Sequence, residues 1–178
     1  MIAIDPGYAT RGRGCACAHF VGGRLVAVWF DRPEDARTRR RYDGVTRVVW
    51  ECPQVDARTR VSVPAVVRLA AVGGTLAGLY AGASGAVVEA VAPSAWKGST
   101  AKPVAHGRMW AALDARERGV LGGDATAAAI TAAKRAGGLD RWSCDGASYY
   151  PAGFTMHNTL DAVGIGIWRL GRGTEDSR

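Results

Sequence analysis

The stretch Met1-Ile2-Ala3-Ile4-Asp5-Pro6-Gly7, continued by YATRGRGCACAHF as far as Phe20, decides how the rest of the chain is read. Met1 to Ile4 is a short apolar run of the kind that forms a buried strand, and a carboxylate ends it. Asp is disfavoured in strands, and an unpaired charge is costly to bury. Gly7, Gly12 and Gly14 then let the backbone turn tightly and approach something closely, and Cys15-Ala16-Cys17-Ala18-His19-Phe20 leads into a second strand. Taken alone, an Asp-Pro-Gly turn with Asp5 bonding its own backbone accounts for the segment. Acids at comparable places further along argue for more.

Working outward, Cys15 to Val21 and Arg24 to Phe30 read as strands joined by Gly22-Gly23, a two-residue hairpin signal. With the opening strand they make an antiparallel meander of three. Asp31 to Arg47 is polar and carries Arg37, Arg39, Arg40 and Arg41. It is either a solvated loop or an arm that contacts phosphates. Val45 to Trp50 is a fourth strand, VTRVVW, and Glu51 ends it as Asp5 ends the first. In open α/β sheets ligands bind at that edge. Val61 to Ala81 is long, apolar and helical, with much of its circumference available to the sheet or to a second subunit.

Gly85 to Val91 is a fifth strand with Glu89 inside it, a place where an acid more often pairs with Arg than holds a ligand. Ala92 to Pro103 reads as a loop whose Lys97 and Lys102 suit phosphate contacts. Val104 to Arg118 reads as one helix stopped by Gly119, and Asp124 to Ala136 as another. Leu139 to Thr155 reads as irregular. Met156 to Leu170 closes the fold as a helix whose first turns put His157, Asn158 and Asp161 on one face. Capping explains Asn158, but Asp161 lies past the cap.

The 178 residues suit a single domain over 1–172, with residues 173–178 as a frayed tail. Lys and Arg number 23 against 16 acids, a net charge of +7, which suits a polyanionic partner. Cys15, Cys17, Cys52 and Cys144 lack paired metal-binding spacing and read as reduced core residues. No apolar run approaches the ~20 residues of a membrane span, and no signal segment opens the chain. A cytoplasmic location is expected, with no membrane.

The expected architecture is α/β, a mixed five-stranded sheet with helices on its faces. Parallel pairing of the first and fourth strands would set Asp5 beside Glu51, and the last helix could lay Asp161 across their ends. Clustered carboxylates repel unless cations neutralise them, and hard oxygen donors favour Mg²⁺ or Mn²⁺. A basic chain bringing such a cluster to a polyanion is a coherent nuclease.

In this order the motifs resemble the RuvC Holliday junction resolvases of the RNase H-like superfamily, with phage or prophage members most similar in wording. Asp5-Pro6-Gly7 with Gly12 and Gly14 matches the family's first motif. Trp50-Glu51-Cys52 stands at its second acid, and Val88-Glu89-Ala90-Val91-Ala92-Pro93 followed by Lys97 and Lys102 at its fifth strand and basic loop. His157-Asn158-Thr159-Leu160-Asp161-Ala162 matches its closing helix. The resemblance implies an RNase H-like fold and Asp5, Glu51 and Asp161 as ligands of two Mg²⁺ or Mn²⁺ ions, with Asn158 or His157 completing the set. It further implies a homodimer that cuts branched DNA at four-way junctions. On that reading Lys97, Lys102, Arg11, Arg13, Arg37, Arg39, Arg40 and Arg41 would hold the DNA backbone.

The chain departs from the pattern in three places. Asn158 replaces a common Asp, Pro53-Gln54-Val55 stand where an aromatic wedge often follows the second acid, and Leu139 to Thr155 looks inserted. A junction-binding relative without catalysis and an RNA-processing relative are the alternatives. An actin-like ATPase or kinase shares the Asp-x-Gly opening, but the chain lacks a second lobe and a further phosphate loop.

Overall fold

The computed structural model describes residues 1–7, 14–36, 42, 44–55, 62–137 and 156–172, the side chains of 136 and 137 excepted. Five strands, β1 (Ile2–Asp5), β2 (Cys15–Val21), β3 (Arg24–Asp31), β4 (Arg47–Glu51) and β5 (Val87–Val91), form one sheet in the order β3-β2-β1-β4-β5. β1 and β3 each run antiparallel to β2, and β1–β4 and β4–β5 are parallel. The expected α/β class and five-stranded mixed sheet are therefore present. The β2–β3 turn is Gly22-Gly23, both with positive φ, as the hairpin signal requires.

Because successive strand residues point to opposite faces, the short first strand builds two cores at once. Ile2 and Ile4 face one side with Cys15, Cys17 and Val48, under Leu76, Ala77 and Tyr80 of the long helix α2 (Val63–Ser84). Ala3 faces the other side with Ala16, Ala18, Val49 and Val91, under Leu160, Val163, Ile165 and Ile167 of α7 (His157–Arg169). Asp5 continues the Ala3 face and Glu51 the Val49 face, so both carboxylates are directed toward α7. Closeness of α7 to the sheet depends on absent side chains: a Cβ at Gly164 would lie 2.6 Å from the Trp96 ring, and one at Gly166 would collide with Phe20.

Several elements differ from the sequence expectations. The polar segment after β3 begins with a short helix, α1 (Pro33–Ala36). The basic loop after β5 begins with a helix, α3 (Pro93–Lys97), for which Pro93 in the first turn is the local signal. The helix expected over Val104 to Arg118 is two, α4 (Lys102–Ala111) and α5 (Ala115–Val120), and Gly119 does not stop the second. Asp114 separates them through a capping box. Its carboxylate accepts from Glu117 N at 2.9 Å, and Glu117 Oε2 accepts from Asp114 N at 2.9 Å. α6 (Asp124–Gly137) follows as expected.

α2 also corrects the reading of apolar runs. It spans 22 residues, and an 18-residue stretch of it has a mean hydropathy of 1.5, long and apolar enough by length and composition to cross a membrane. Arg68, Thr75 and the scattered glycines interrupt the run, yet its Val, Leu and Ala content keeps the average high. One face rests on the sheet through Val66, Gly73, Leu76, Ala77 and Tyr80, and the other leaves Val63 and Val67 more than half exposed.

Cys15, Cys17 and Cys52 are in no disulfide, Cys15 and Cys17 are buried, and burial pushes the Cys15 pKa up to about 11. Leu139 to Thr155, Cys144 and the tail 173–178 lie outside the described residues.

Candidate active site

The parallel β1–β4 register pairs Ile4 with Trp50, so the next residues, Asp5 and Glu51, end neighbouring strands side by side. Asp161 comes down on them from the second turn of α7. Both aspartates are buried, Asp5 8% and Asp161 3% exposed. Three acids from three distant parts of the chain thus meet at one sheet edge. His157 and Asn158 are half-buried in the first turn of α7, four and three residues before Asp161.

The partners of the three carboxylates differ sharply. Asp161 Oδ1 lies 2.9 Å from His106 Nε2, and Oδ2 is ion-paired with Lys102 Nζ. Burial acts to raise the Asp161 pKa, but Lys102 and then His106 outweigh it and hold the carboxyl far below the ordinary range. Burial lowers His106 despite Asp161 beside it. A neutral imidazole facing an ionised carboxylate must carry its proton on Nε2 and donate it. Lys102 is raised, because its neighbours Asp161 and Asp5 outweigh its own desolvation.

Glu51 Oε2 accepts a 2.7 Å hydrogen bond from the indole of Trp96 and has Lys97 Nζ at 3.7 Å. Lys97 also sits 5.0 Å over the Trp96 ring. Asp5 is the exception, since no hydrogen bond or ion pair reaches its carboxylate among the described residues. Burial first, then Asp161, then Glu51, push its pKa well up, and Lys102 and Lys97 only partly offset them. A buried acid without a partner, between two other acids, is an electrostatic fault that a cation would repair.

The donor set suits a hard divalent cation, being carboxylate oxygen throughout. No ready-made cage of three His, Cys, Asp or Glu side chains closes around a point among the described residues, and Lys102 lies on Asp161. The groups that would hold an ion are Asp5 and Glu51 first, then Asp161, with His157 and Asn158 on the turn beneath it.

Of the basic residues singled out from sequence, Lys97 and Lys102 join the cluster and are engaged with its carboxylates. Arg11, Arg13, Arg37, Arg39, Arg40 and Arg41 lie outside the described residues. Glu89 does not join. It accepts from Arg47 Nη1 at 2.7 Å and Arg169 Nε at 2.8 Å, which hold its pKa down against burial. It fastens the end of α7 to the sheet. Sequence reasoning missed Trp96 and His106. The only local signal for the first was its place beside Lys97, and a helical His facing inward reads as core.

Comparison of the chain with protein-family models, with curated proteins and with solved structures returned no match.

Proposed function

We propose that the protein is a divalent-cation-dependent phosphodiester hydrolase built on an RNase H-like fold. Within that class the reading we favour is a RuvC-like Holliday junction resolvase, a structure-selective endonuclease acting on branched DNA. The observation that carries it is Asp5, buried at a strand end and unpartnered among the described residues, with Glu51 and Asp161 beside it in a chain of net charge +7. The strand order, with a three-stranded meander beside two parallel strands and a late helix carrying the third acid, supports the same reading.

Asp5 and Glu51 would hold a divalent cation, which when bound would supply charge for a scissile phosphate and acidity for a water. The chain's own residues do the rest. Trp96 fixes the Glu51 carboxylate, while His106 and Lys102 fix Asp161. His157, in the first turn of α7, is the residue we assign to moving a proton. Lys97, at the mouth of the cluster, and the arginines of 11–13 and 37–41 hold the DNA backbone. The outward face of α2, apolar at Val63 and Val67 and open at Gly78 and Gly82, suits the second copy in a homodimer.

The test is cleavage of a labelled synthetic four-way junction in Mg²⁺ or Mn²⁺, with Asp161→Asn and linear duplex as controls. Paired symmetric nicks, absent in the variant and on duplex, are expected. Tight binding without nicks in either metal would make it a junction-binding protein. Preferential cutting of a matched RNA junction would move the substrate class.

A further inference from the structure

We infer that the site takes one divalent cation, seated between Asp5 and Glu51, and that the Lys102 ammonium on Asp161 stands in place of a second. This rests on the metal-dependent reading and departs from the pair of ions that the resemblance implies.

The argument is a census of oxygens. Asp161 has both of its oxygens taken by donors of the protein, Oδ1 by His106 and Oδ2 by Lys102. Glu51 has Oε2 taken by the Trp96 indole, with Lys97 near the same atom. Oε1 of Glu51 and both oxygens of Asp5 carry no hydrogen bond among the described residues. The oxygens without a protein partner therefore lie on the neighbouring ends of β1 and β4, while each Asp161 oxygen on α7 already meets one, the Lys102 ammonium standing where a second cation would approach. Mg²⁺ commonly binds through one or two carboxylates and keeps water and substrate oxygens as its other ligands. Asp5 and Glu51 suffice for that.

Charge points the same way. Asp5, Glu51 and Asp161 face Lys97 and Lys102, three carboxylates against two ammonium groups, and Asp5 is the carboxylate that no ion pair reaches among the described residues. One divalent cation makes the cluster weakly positive and fit to meet a phosphate. Two would make it strongly positive within a buried site before any substrate arrived. Clearing Lys102 off Asp161 would also uncouple a buried pair, which is strongly destabilising.

The test counts Mn²⁺ bound per full-length chain by equilibrium dialysis with electron paramagnetic resonance of the free ion. Wild type, Lys102→Met, Lys102→Gln and Asp5→Asn are compared, with circular dichroism reporting folding. One Mn²⁺ on wild type, two on the Lys102 variants and none on Asp5→Asn over the same range are expected. Two on wild type overturns the inference while leaving the metal-dependent reading in place. Folded Lys102 variants that still take one, or a wild type that takes none until Lys102 is removed, also overturn it. No Mn²⁺ on any folded protein overturns the reading itself. Should neither Lys102 variant fold, the wild-type count decides alone, one supporting and two overturning.

Discussion

Glu117 and Asp5 are both buried carboxylates, and the protein treats them in opposite ways. Glu117 Oε1 accepts from Leu25 N at 2.8 Å and Arg172 Nη1 at 2.6 Å, and Oε2 from Asp114 N at 2.9 Å and Arg172 Nη2 at 2.6 Å. Arg172 above all, with the two backbone donors, brings its pKa down to about 2 against the opposing effect of burial. Arg172 also donates to the Gly23 and Ala112 carbonyls, so one residue ties the segment just after α7 to the β2–β3 turn and to the α4–α5 junction. Among the described residues Asp5 has no such partner, and the acids Asp161 and Glu51 outweigh the lysines near it. A buried acid with every lone pair engaged is part of the scaffold. One left open beside two others is a place for something else to bind.

The largest effect expected from this contrast is on Asp5→Asn. It should abolish junction cleavage, on the order of 10⁴-fold or about 5 kcal/mol of transition-state stabilisation, while the protein stays folded. Retained cleavage in that variant would break the contrast at its functional end. Arg172→Ala should do the reverse, costing about 3–5 kcal/mol in denaturant unfolding because it strands the buried Glu117 charge.

The same pair sets an acid dependence. Glu117 is depressed in the folded state, so its contribution is complete above its unfolded value of 4.5 and is lost as pH falls toward about 2. Unfolding curves of wild type should steepen in that window and those of Arg172→Ala should flatten. A variant with an unchanged slope would remove Arg172 from the account.

Trp96→Phe keeps the ring against Gly164 and loses only the indole donor to Glu51. Mn²⁺ affinity should fall by about 10–100-fold with the melting temperature nearly unmoved. A fall in stability with metal affinity intact would make Trp96 a packing residue. Smallest of all, Arg24→Ala breaks a 3.9 Å pair with Asp114 between exposed side chains. It should change stability by less than about 0.5 kcal/mol.

What was legible in the sequence was local or periodic. Asp5 and Glu51 stood out because an acid at the end of an apolar strand is anomalous, and Asp161 because it lies past any capping position. The hairpin at Gly22-Gly23 and the amphipathic last helix followed from spacing. The capping box at Asp114 and Glu117 was also written locally, but the apolar continuity from Val104 onward hid it. The partners were another matter. Nothing near Glu51 announces Trp96, 45 residues away, and nothing near Asp161 announces His106, 55 residues away. Glu89 was ambiguous for the same reason, since Arg169 comes from 80 residues along the chain. An acid's own neighbourhood shows that it is unusual; whether it is satisfied depends on residues that only the fold brings near.

The measurement that tests the central claim most directly is thermal unfolding of wild type and Asp5→Asn, with and without Mn²⁺. If Asp5 is a charge awaiting a cation, ion at about 100 times its Kd should stabilise wild type by about 2.7 kcal/mol. For a domain of this size that is roughly 5–10 °C. Asp5→Asn should melt at or above metal-free wild type and respond to Mn²⁺ hardly at all. A wild type whose melting is unmoved by Mn²⁺, or an Asp5→Asn variant that Mn²⁺ stabilises equally, would contradict it.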